Sequence, residues 1–150
     1  MAHAKARGIF LWDEDGLDIS GQFKNTQIEV EESDDSFASH KAMRDGTAND
    51  WALTAEVAED AAAGTPWKLM SDPVTRGSEF PFYYSAFVDD LADVTPATPA
   101  YKATAIVTLP SGSKMFGDES TRNPKKVPTV EIEWPLLDEP VAVTVPPVFP

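Results

Sequence analysis

Thr129-Val-Glu-Ile-Glu-Trp-Pro135 alternates without a break: Val130, Ile132 and Trp134 fall on one side of an extended chain, and Thr129, Glu131 and Glu133 on the other. Successive side chains of a strand point to opposite faces, so this stretch reads as a strand with one buried and one wet face. The same period recurs upstream. In Tyr101–Leu109 it aligns Tyr101, Ala103, Ala105, Val107 and Leu109, and in Trp51–Val57 it aligns Trp51, Leu53, Ala55 and Val57. In Phe23–Glu32, Ile28 and Val30 oppose Gln27, Glu29 and Glu31. Ile9–Trp12 is a short apolar run closed by the turn Asp13-Glu-Asp-Gly16, with Leu17–Ile19 as its return strand. Phe80–Val88 is an aromatic strand whose Pro81 predicts an edge or a bulge. Val141–Val145 is the last strand, ahead of the proline-rich tail 146–150.

One helix interrupts the strands. Thr65 is suited to the N-cap and Pro66 to the first helical position, and Ser71-Asp-Pro73 ends the helix almost at once. Three stretches lack any period: Ser33–Asp50, Leu91–Pro99 and Pro110–Pro128. Most connections run about 4–6 residues, so the loop or arm 33–50 and the loop 110–128 are long enough to be functional or disordered. The expected architecture is a single domain over 1–150, mainly β, a β-sandwich or half-barrel with one short flanking α-helix.

Composition narrows the function. The 150 residues carry 25 acidic and 12 basic side chains, a net charge of −13. Proteins that grip phosphates cluster Lys and Arg, so this balance opposes nucleic-acid binding and favours solubility. No apolar run approaches the roughly 20 residues of a membrane helix. The basic start Met1–Arg7 is not followed by the apolar stretch of a secretory signal. Cysteine is absent, which removes disulfides, thiolate chemistry and cysteine-held metals.

Nothing in the residue pattern points to catalysis, and no cofactor is expected. His3 and His40 lie in no recognisable motif. Asp13, Asp15 and Asp18 have the start of a calcium loop, but Asp18 stands where its glycine belongs and Lys24 where its closing glutamate belongs. Glu131 and Glu133 share one strand face, an arrangement far commoner as wet surface than as an acid–base pair. Ser111-Gly-Ser113 lacks a strand–helix elbow, and no glycine-rich phosphate loop occurs.

Four stretches, taken in order, resemble the major tail (tail tube) proteins of long-tailed bacteriophages. Gly8-Ile-Phe-Leu-Trp-Asp-Glu-Asp-Gly-Leu-Asp-Ile-Ser-Gly21 is similar to the family's opening. Phe23–Glu32 and its polar loop resemble the first tube-wall strand and its long insertion. Trp51-Ala-Leu-Thr54 with Gly64-Thr-Pro-Trp-Lys-Leu-Met70 is similar to the strand and packing helix. Val130-Glu-Ile-Glu-Trp-Pro135 with Leu137-Asp-Glu-Pro-Val141 resembles the closing strand, Asp138-Glu139 replacing the usual glycine turn.

The resemblance implies a structural virion protein that self-assembles into stacked hexameric rings, the tube through which the genome leaves. Its partners would be further copies of itself and other tail proteins (tape measure, terminator, baseplate or tip). DNA would pass through the lumen without specific binding, and no membrane would be involved. The protein would sit in the virion tail, and in the host cytoplasm during assembly. On this reading Glu29, Glu31, Glu131 and Glu133 face the lumen, and Phe37, His40, Met43 and Arg44 belong to an arm between rings. Two alternatives stay open: an Ig-like binding or decoration module, and a head–tail joining ring of the same fold.

Overall fold

A computed structural model describes residues 9–32, 49–109 and 128–149. Within them the chain forms β1 (Phe10–Asp13), β2 (Phe23–Glu32), β3 (Asn49–Ala58), α1 (Pro66–Ser71), β4 (Glu79–Ser85), β5 (Ala100–Ile106), β6 (Thr129–Pro135) and β7 (Val141–Val143). The strands make two antiparallel sheets, β1-β4-β5-β7 and β2-β3-β6. The fold is therefore a β-sandwich with one short helix, and the sheets do not close into a barrel.

The alternating strands meet face to face. Leu53, Ala55 and Val57 of β3 and Val130, Ile132 and Trp134 of β6 pack on Leu11, Phe82, Ala103, Ala105 and Val107 from the other sheet. An aromatic row runs through this core, with Phe80 5.5 Å from Trp134 and 6.0 Å from Phe82. After β6 the chain changes sheets: Leu136 donates its N–H to Trp51 O at 2.8 Å, and Leu137 donates to Thr104 O at 2.9 Å. The run from Thr129 to Val143 thereby stitches both layers together. Trp134 locks the corner by donating Nε1–H to Thr108 O at 3.1 Å.

α1 starts as expected. Thr65 Oγ1 accepts from Lys68 N at 3.3 Å, Pro66 occupies the first turn, and Pro66 and Met70 are buried. Six residues make a marginal helix in isolation. Packing supports it, and so does Arg76, whose Nε and Nη2 donate to the terminal carbonyls of Met70 and Ser71.

Several sequence expectations need correction. The return strand Leu17–Ile19 reduces to a single bridge between Trp12 and Asp18, followed by a 3₁₀ turn at Ser20–Gln22. β4 is an interior strand, not an edge. Its Pro81 is tolerated because β1, only four residues long, pairs with Phe82–Ser85 and stops short of it. β4 also ends at Ser85 rather than Val88. The buried Ser85 Oγ accepts from Phe87 N and Val88 N and donates to Pro99 O, turning the chain. Asn49 and Asp50, assigned to the loop 33–50, pair with Glu32 and Glu31 and belong to β3. β7 stops at Val143, short of Val145.

Leu91–Pro99 is not a bare loop. Leu91 and Val94 are buried with Val88, Trp12, Tyr83 and Ala100, a second cluster on the far face of the four-stranded sheet. That sheet is thus covered on both faces, which explains why Phe82, Tyr83 and Tyr84 follow one another without a polar residue between them. Val30 is not covered as expected: at the end of the edge strand β2 it remains 50% exposed, while Ile28 is half-buried.

Candidate functional site

Alternation sends the even-numbered residues of β3, the odd-numbered residues of β6 and, past its bulge, Gln27, Glu29 and Glu31 of β2 away from the core, onto the outer face of the three-stranded sheet. Backbone register sets their neighbours. Glu31 stands opposite Asp50, Glu29 opposite Ala52, and Gln27 opposite Thr54. Across β3, Thr54 stands opposite Glu133, and Glu56 opposite Glu131. Glu29, Glu31, Asp50, Glu131 and Glu133 are all exposed. The four glutamates singled out in the sequence therefore share one face. β2 and β6 flank β3, about 10 Å apart at the usual strand spacing.

Asp50 and Glu56 complete the face, and the sequence reading did not single them out. The signal was present: both lie on the polar side of the alternation that buries Leu53, Ala55 and Val57. What the sequence lacked was the pairing that sets β3 between the other two strands. Like charges directly opposite one another weaken a sheet by a few tenths of a kcal/mol or more. Two such pairs, Glu31/Asp50 and Glu56/Glu131, lie on this face.

Glu56 has local compensation. Asn25 Nδ2 donates to its Oε2, and Thr129 Oγ1 donates to Oε1 at 3.4 Å. Asn25 reaches it from a β-bulge, where the register jumps from Lys24/Glu56 to Gln27/Thr54. Its backbone is left-handed, with φ 53°, a conformation Asn adopts more readily than most residues. Lys24 sits opposite Glu56 at the same end of the face.

At the opposite end the face runs into the corner Pro135–Glu139. Glu29, Glu31, Asp50 and Glu133 there line an open groove together with Trp51, Leu137, Asp138 and Glu139. The face offers concentrated negative charge and an extended strand edge. Among the described residues, no three His, Cys, Asp or Glu side chains are placed to hold a metal ion. Phe37, His40, Met43 and Arg44, the residues assigned to an arm, lie outside the described residues.

Burial, aided by neighbouring Tyr101, pushes the Tyr84 hydroxyl up from 10.0 to about 12. The two rings stack with centroids 5.6 Å apart.

Compared with known proteins, the chain matches no family model, no curated protein and no solved structure.

Proposed function

We propose that this chain is a self-assembling structural subunit, the tail tube protein of a long-tailed bacteriophage, whose hexameric rings stack into the conduit for the genome. The observation that carries this reading is the three-stranded sheet. Its outer face is acidic across all three strands, and its ten-residue strand β2 has no partner on its far side among the described residues. An exposed strand edge of that length is a template for pairing with another chain. Six such sheets joined edge to edge would enclose a channel lined by Glu29, Glu31, Glu131 and Glu133. A basic lining would bind passing phosphates, whereas carboxylates repel them.

Electron microscopy of the purified protein tests the reading. Tubes are expected. Isolated rings would favour the head–tail joining role, and monomers at every concentration would favour a binding or decoration module.

A further inference from the structure

β7 ends at Val143, and the chain leaves the sheet as Thr144-Val-Pro-Pro-Val-Phe149. Val145 is 68% exposed and Val148 95% exposed. What ties this run down is Phe149. Its ring meets Tyr83 edge-on at 5.9 Å, and it lies so close over Gly16 that a Cβ there would stand 2.6 Å from Phe149 Cε2. The socket is therefore shaped by the absence of a side chain at Gly16, and its wall belongs to the cluster of Trp12, Tyr83 and Ala100. Pro146 and Pro147 hold the run extended beforehand, so little conformational freedom is lost when its aromatic end docks.

We propose that Thr144–Phe149 is an exchangeable strap, Phe149 of one subunit filling the Gly16/Tyr83 socket of a second copy of this chain. Exchange trades one set of contacts for an identical set, so intramolecular and intermolecular docking differ mainly in the entropy of association. High local concentration in an assembly offsets that entropy. The strap is suited to the exchange because it is anchored at its end and because Val145 and Val148 are left uncovered on their own subunit. The inference holds for any assembly of this chain, tubular or not.

Energy transfer between labelled copies tests it. The chain has no cysteine, so Val148→Cys and Glu14→Cys, both at exposed positions, take a donor and an acceptor on separate copies. Mixing should give intermolecular transfer that rises with concentration. Adding Phe149→Ala to the donor chain should cut it roughly tenfold, the factor expected for losing one partly buried aromatic. Circular dichroism checks that this variant keeps its sheets. Should it unfold, excess unlabelled peptide spanning residues 143–150 replaces it and must compete the transfer away. Absence of transfer at every concentration, or transfer that survives both Phe149→Ala and the peptide, overturns the strap. Tube formation is scored separately by microscopy, so failure here leaves the proposed function untouched.

Discussion

Gly16 and Tyr84 show how single positions carry structure that their residue type only hints at. Gly16 has φ 84°, in the left-handed region, and ends the turn in which Asp13 Oδ1 accepts from Asp15 N and Leu17 N. An added methyl group would both strain the backbone and displace Phe149. Gly16→Ala should therefore destabilise the fold by about 1–3 kcal/mol in urea titrations. Gly64→Ala, also at positive φ but with nothing within 4 Å of its would-be Cβ, should cost only the backbone part, about 1 kcal/mol. Tyr84 contributes to alkaline stability. Its hydroxyl ionises near 10 in the unfolded chain and about 12 in the folded one, so the unfolded state releases its proton first. Its contribution is intact below pH 10 and is lost progressively as pH rises from 10 towards 12. Unfolding free energies measured across that window should fall less steeply in Tyr84→Phe than in the parent.

Among the described strands, β2 combines the longest unpaired edge with an apolar face that is only partly buried. Val30, in register with Trp51, is half-exposed on the side where its diagonal neighbour Leu53 on β3 is wholly buried. A charge at such a place is how natural sheets discourage edge-to-edge pairing. Val30→Lys should change stability by no more than about 0.5 kcal/mol, as for an exposed position. It should nevertheless suppress assembly, followed by light scattering and microscopy. A variant that assembles like the parent would remove β2 from the subunit interface.

For the whole molecule, the acidic face is the feature to test. Glu29, Glu31, Glu131 and Glu133 can all become lysine without touching the buried sides of β2 and β6, and two charges at each of four positions change the subunit by eight. Tubes should still form, yet the channel should retain DNA, and phage carrying the change should attach and then eject slowly. The matched control reverses Glu14, Asp15, Glu79 and Asp93, which are exposed and lie outside the three-stranded sheet. Asp13 and Asp18 are unsuitable there, because their carboxylates accept backbone N–H groups in the β1 turn. Equal ejection rates in both sets would place the lumen elsewhere.

The sequence by itself determined that β2, β3, β5 and β6 are strands, which side of each faces the core, and where α1 begins. Those properties are local: alternation with period two marks a half-buried strand, and Thr65-Pro66 satisfies a helix start within one turn. Only the tertiary structure decided which strands lie side by side. Nothing in Trp51–Val57 or Thr129–Trp134 names the other as its partner, because pairing is chosen by the burial of the whole chain at once. Hence the glutamates were legible one strand at a time, but their shared face with Asp50 and Glu56 was not. The same reason hid the second cluster. Leu91, Val94 and Phe149 sit in stretches without a period, and only the doubly covered sheet beside them gives their apolar side chains somewhere to go.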